Sequence, residues 1–134
     1  MKKIVICASA SFEKEIVEWK NKFEKWGYIV IKYPTKIKDD LLSGYKKEFS
    51  EHYKAITQAD AIIALNLEKK SIKGYIGAGV FAEMAFAIGI NRAQKKKIEV
   101  FYLNPLPGEN LPYSDELNLW HELEWIQQFE SRPI

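Results

Sequence analysis

Glu83 is the only charged side chain between Gly74 and Asn91, in the run GYIGAGVFAEMAFAIGIN. A carboxylate set into an apolar helix costs desolvation energy unless donors reach it, so its presence there points to a use. Glycines at 74, 77 and 79 precede it, and Gly89 follows where the helix is expected to end. The segment therefore reads as a glycine-rich turn feeding a buried helix. A carboxylate in a small dry pocket suits covalent displacement at an anomeric carbon, or general acid/base work on the same bond. Retaining glycosyl chemistry uses a second carboxyl about 5.5 Å away. Glu68, on the adjoining loop, is the best-placed acid for that part, with Asn66 as an orienting amide. The bland alternative keeps Glu83 bonded to backbone N–H groups of the neighbouring loop, or facing a subunit interface.

Other chemistries find less support. The glycine-rich turn lacks the lysine of a P-loop, and the turn after the first strand has no G-x-G-x-x-G, so neither nucleoside-triphosphate hydrolysis nor dinucleotide redox chemistry is expected, and no cofactor. No metal is expected either: His52 and His121 each stand on a predicted helix without a Cys or His at ligand spacing, and read as surface or half-buried residues. Cys7 lies inside a strand run with no histidine nearby in sequence, and reads as a packed thiol.

The elements that must position these groups follow from hydrophobic patterning. IVICA at 4–8 is a continuous apolar run, the mark of a strand buried on both faces. Phe12, Ile16, Trp19, Phe23 and Trp26 then recur at helical spacing, with Ser11 as N-cap and Gly27 as the stop. Residues 28–33 predict a second strand, and Leu42, Tyr45, Phe49, Tyr53 and Ile56 a helix over about 39–58. Residues 61–65 predict a third strand, 67–73 a polar loop, 98–103 a fourth strand, and 104–108 a rigid loop. Leu117, Trp120, Leu123 and Ile126 predict a closing helix, with room for a short strand before it.

Alternating buried strands and amphipathic helices predict an α/β three-layer domain spanning 1–134, with a doubly wound, flavodoxin- or Rossmann-like parallel sheet of four or five strands in the order 2-1-3-4(-5). Ligands of such sheets sit beyond the carboxyl ends of the strands where the order reverses. That rim gathers Ser9, Ser11 and Phe12, Asn66 and Glu68, Tyr75, Gly77 and Gly79 ahead of Glu83, and Asn104. Asp60 falls at the opposite edge and reads as structural.

Composition sets the outer bounds. At 134 residues, 47% hydrophobic and 13% aromatic, the chain can build one full core. Twenty basic residues against eighteen acidic leave a formal charge of +2, which favours neither polymeric nucleic acid nor a membrane surface as partner. Lys95, Lys96 and Lys97 read as a solvated turn. A single cysteine, no spanning apolar run and no room for a signal peptide before the first strand predict a cytoplasmic protein. The Glu83 helix is apolar nearly all round and needs more cover than a sheet face provides, so a homodimer or higher homo-oligomer is expected.

ICASASF after the first strand, ADAIIALN at the third, and GAGVFAEMAFA around Glu83 together resemble the nucleoside 2-deoxyribosyltransferase-like superfamily, which includes N-glycosidases of deoxynucleoside monophosphates. The similarity covers roughly residues 3–107. It implies that Glu83 is the nucleophile attacking C1′ of a deoxyribose, that Ser9 and its neighbours hold sugar or phosphate, that 103–105 is the loop after strand four, and that the ligand is a small nucleoside or nucleotide. Phe12 or Tyr75 would then pack on the base. Two positions depart from the family pattern: Gly77 stands where an aspartate or serine is usual, and Ala85 where a glycine is usual. These departures keep open a non-catalytic nucleotide-binding or signalling module on the same scaffold. A second resemblance, to the lysine-decarboxylase-like phosphoribohydrolases, rests on Gly77, Gly79 and Glu83.

Overall fold

The computed structural model describes residues 2–130. Lys3–Cys7 forms β1, Ile29–Lys32 β2, Ala61–Ala64 β3, Glu99–Tyr102 β4 and Gln127–Gln128 β5. All are parallel, in the order β2-β1-β3-β4-β5. Helices α1 (Glu13–Lys25), α2 (Leu41–Gln58), α3 (Ala78–Gln94) and α4 (Ser114–Glu122) join them, giving the expected Rossmann-like α/β architecture. No helix among the described residues is long and apolar enough to cross a membrane.

Strand alternation sorts the core into two layers. Val5, Cys7, Ile62, Ala64, Val100 and Tyr102 point to the face covered by α2, α3 and α4, where Ile56, Met84, Ala87, Leu117 and Trp120 meet them. Ile4, Ile6, Ala61, Ile63 and Leu65 point the other way, onto Ile16 and Phe23 of α1 and onto Phe129. Each apolar side chain fully withdrawn from water contributes about 1.5–3 kcal/mol, which is why the central strands tolerate no polar residue on either face. Because α1 and α2 lie on opposite faces, the order reverses between β1 and β3, and the chain leaves a crevice above the carboxyl end of β1.

Gly27 ends α1 with a φ of 98°, in the left-handed region that favours glycine. Three other expectations need correcting. Ser11 does not cap α1: a 3₁₀ turn, Ala10–Phe12, intervenes, and Ser9 caps that turn instead by accepting from Ser11 N–H. Helix α3 does not end at Gly89 but runs to Gln94, closing on Lys95 at a φ of 57°. Gly89 sits on the exposed side while Ala87 and Ile88 are buried, and that burial outweighs the roughly 1 kcal/mol penalty of a mid-helix glycine. Helix α4 stops at Glu122, so Ile126 is buried in the turn that leads into β5, and the fifth strand follows this helix rather than preceding it.

At the rim, Asn66 acts as a staple between loops. It is 1% exposed; its Oδ1 accepts from the N–H groups of Leu103 (2.9 Å) and Asn104 (2.8 Å), and its Nδ2 donates to Asn104 O at 2.7 Å. Asn66→Ala leaves the N–H and C=O of Asn104 without these partners, each costing about 1–3 kcal/mol when buried, while Leu103 N–H keeps its bond to Ala64 O at 3.1 Å. Urea denaturation is expected to show a loss of about 3 kcal/mol; a change below about 1 kcal/mol would mean that water replaces the staple. At the opposite edge Asp60 accepts from Lys3 N–H at 2.7 Å, a structural position as expected, and Lys95, Lys96 and Lys97 are exposed.

Candidate active site

Three side chains from three elements converge in the crevice. Cys7 is the last residue of β1, His52 lies in the fourth turn of α2, and Glu83 in the second turn of α3. Helical spacing explains the latter two: His52 shares the inward face of α2 with Ala55 and Ile56, and Glu83 is flanked by Val80, Met84 and Ala87 on the buried side of α3. His52 Nε2 lies 3.5 Å from Cys7 Sγ and 3.4 Å from Glu83 Oε1. Cys7 is fully buried, while the His52 and Glu83 side chains are 5% and 19% exposed. Thus His52 is neither at the surface nor half-buried, and it does have a partner of ligand type, 45 residues away in sequence. His121, by contrast, is exposed and bonds the Tyr102 hydroxyl at 2.8 Å.

Electrostatics within the cluster are set first by burial and then by Glu83. Burial pushes the Cys7 thiol well above its usual range; the Glu83 carboxylate adds to this by repelling the thiolate and by accepting a hydrogen bond from the thiol. A neutral, buried thiol is a poor nucleophile, in keeping with a packed role for Cys7. Native protein held with iodoacetamide at pH 7 is expected to keep its unmodified mass, and denatured protein to gain one adduct at its single cysteine; alkylation of the native chain at the denatured rate would show that the crevice opens freely. Burial, and then the charge of Glu83, push the Tyr53 hydroxyl up to about 12, so it remains a hydrogen-bond donor at neutral pH.

Glu83 opens upward into a cavity of about 420 Å³. Ala8 and Ala10 form the β1 side, Pro34, Thr35 and Ile37 the side after β2, and Gly79 and Ala82 the α3 side. Tyr45, Phe49 and Tyr53 make an aromatic wall on α2, with Phe49 and Tyr53 stacked at 4.1 Å between centroids. The apolar stripe that predicts this helix is therefore split: Ile56 packs inward, whereas Tyr45 and Phe49 are 55% and 44% exposed. Their four-residue spacing was visible in the sequence, but not the side on which they lie. Glu48 also lines this cavity, its carboxylate 2.6 Å from Lys32 Nζ.

The remaining expected site residues divide among other places. Gly79 lines the cavity, and a Cβ there would meet nothing within 4 Å. Gly77 caps the amino end of α3, beside the Tyr75 ring, without lining the cavity. Glu68 and Asn104 border a separate recess of about 780 Å³ with Gly74 and Pro105, so Glu68 does not share a cavity with Glu83; Glu48 does. The Asn66 amide is committed to backbone, as described above. Phe12 packs against the α1-side core. Ser9 and Ser11 meet Lys69, a residue of the polar loop, whose Nζ reaches their hydroxyls at 2.9 and 3.2 Å.

Compared with models of known protein families and with curated proteins, the chain matches none.

Proposed function

We propose that this protein cleaves the N-glycosidic bond of a nucleoside or nucleotide, hydrolysing or transferring its 2-deoxyribosyl group, with Glu83 as nucleophile. The observation that carries this reading is the placement of Glu83: a carboxylate on the floor of an open cavity, next to His52 and Cys7 side chains. In the reaction a Glu83 oxygen bonds to C1′ as the C–N bond breaks, the base leaves with the bonding pair and takes up a proton, and water or an acceptor base later displaces the glycosyl ester. The aromatic wall of α2 supplies stacking surface for a base, and the Tyr53 hydroxyl a donor to the sugar or to the carboxylate. With Gly77 in place of an acid, Glu48 is the second carboxyl of the cavity. Lys69 with Ser9 and Ser11 offers a cation and two hydroxyls to a 5′-phosphate.

The test is incubation with a panel of deoxynucleosides, their 5′-monophosphates and the matching ribonucleotides, with free base read by chromatography. Release from the deoxy series is expected. Nucleotide-induced thermal stabilisation without any release would favour a binding or signalling module, and release from ribonucleotides alone a phosphoribohydrolase. A second copy of the chain is the proposed cover for Leu41 and Leu42, which are 67% and 79% exposed on the same helix as Tyr45 and Phe49. A cytoplasmic location fits the unpaired, buried Cys7.

A further inference from the structure

His52 Nε2 stands within 3.5 Å of two different atoms, the Cys7 sulfur and a Glu83 oxygen. A ring nitrogen has one in-plane proton or lone pair, and at 3.4 Å the approach to Glu83 exceeds the 2.7–3.2 Å usual for an N–H···O bond. One hydrogen bond therefore does not account for both neighbours. A cation between them does. A tetrahedral ion bound at about 2.3 Å from sulfur and about 2.0–2.1 Å from nitrogen and oxygen separates its sulfur and nitrogen ligands by about 3.5 Å, and its nitrogen and oxygen ligands by about 3.4 Å. Those are the two separations found here. The ligand atoms of all three residues lie within 4.8 Å of one another, close enough for one ion to be shared among them.

We propose that Cys7, His52 and Glu83 form a three-ligand site for a borderline-soft divalent cation of the Zn²⁺ type, with its fourth position facing the cavity. The donor set selects the class: a thiolate and an imidazole suit zinc and its neighbours, and offer little to Mg²⁺ or Ca²⁺, which take oxygen. Charge balances as well, because a divalent ion with one thiolate, one carboxylate and a neutral imidazole sums to zero in a buried setting. On binding, the Cys7 S–H bond is lost, its proton passes to solvent and a sulfur–metal bond forms. His52 and Glu83 line the cavity and Cys7 lies beneath them, so an ion enters from above and a water or ligand atom completes the tetrahedron. Three protein ligands with one open position is the arrangement of exchangeable and catalytic zinc, whereas structural sites are closed by four. The loaded site would occupy the Glu83 oxygen needed for attack on a sugar, so the ion acts as a brake on the glycosyl reaction.

This proposal stands on the geometry of three atoms and not on the glycosyl reading, and its test is spectroscopic. Metal-free protein is titrated with Co²⁺ at micromolar concentration. Expected are the visible bands of four-coordinate cobalt and a near-ultraviolet thiolate-to-cobalt band, saturating at one equivalent and erased by one equivalent of Zn²⁺. Since Cys7 is the only cysteine, a thiolate band identifies it even if no variant folds. Cys7→Ser is expected to lose that band, and His52→Ala to weaken Zn²⁺ binding more than about tenfold, the least that removal of even a supporting group costs. Wild-type protein showing no thiolate band, or folded His52→Ala binding Zn²⁺ with undiminished affinity, overturns the site. Base release inhibited by Zn²⁺ in the wild type supports the brake, and base release indifferent to saturating, spectroscopically verified Zn²⁺ removes it.

Discussion

Replacement of Glu83 by glutamine is expected to lower base release by about 10³-fold or more, because the amide keeps the shape of the carboxylate but supplies no anionic oxygen to C1′. The same variant has a second, independent readout. Glu83 is among the causes that hold the Tyr53 hydroxyl near 12, and loss of its charge is expected to bring that titration downward, followed by phenolate absorbance. A variant that shows the Tyr53 shift while still releasing base at the wild-type rate would exclude Glu83 as nucleophile and leave it a structural anion. One that loses release with folding intact supports covalent or acid/base participation. Trapping of a glycosyl ester on the wild-type chain by rapid quench and mass analysis then separates those two.

Phe23→Ala is expected to cost about 3–5 kcal/mol, a large part of the 5–15 kcal/mol available to an ordinary domain. Among the described residues the second face of the sheet is covered by α1 and Phe129, without the three helices that the first face has. Phe23 is fully buried at the hub of that layer, with ring contacts to Trp19 (5.6 Å), Trp26 (6.1 Å), Tyr28 (6.2 Å) and Phe129 (5.5 Å). Large rings held by strands and a helix cannot collapse far into the space a phenyl leaves, so most of the cavity cost persists. Urea titration followed by tryptophan emission measures it. A loss under about 1 kcal/mol would mean that Trp19 and Trp26 repack into the gap.

The doubly covered sheet was legible in the sequence because residues 4–8 and 61–65 are apolar without a break, and its strand order followed from the alternation of such runs with amphipathic helices and from right-handed crossovers. Gln127–Gln128 escaped that reading, since a two-residue edge strand of exposed glutamines has no hydrophobic signature at all. Glu83 was legible by contrast with its neighbours. Its partners were not, for a physical reason: Cys7 and His52 meet through tertiary packing of a strand against a helix, and neither period nor spacing along the chain encodes that pairing. Glu68 seemed the natural second acid because it is close in sequence. Glu68 instead lines a separate recess, and Glu48, paired with Lys32, takes the place on the cavity wall.

The division of the reactive groups among β1, α2 and α3 makes this crevice a gauge of how well the layers are seated. No one element contains the chemistry, so α2 slipping along the sheet by a fraction of a turn, too little to unfold anything, would part the imidazole from both neighbours. Misplacements of about 1 Å commonly cost a hundredfold in rate. Any chemistry these three groups share is thus answerable to packing at a distance: changes far beneath the sheet are expected to register first as lost alignment, and only later as lost structure.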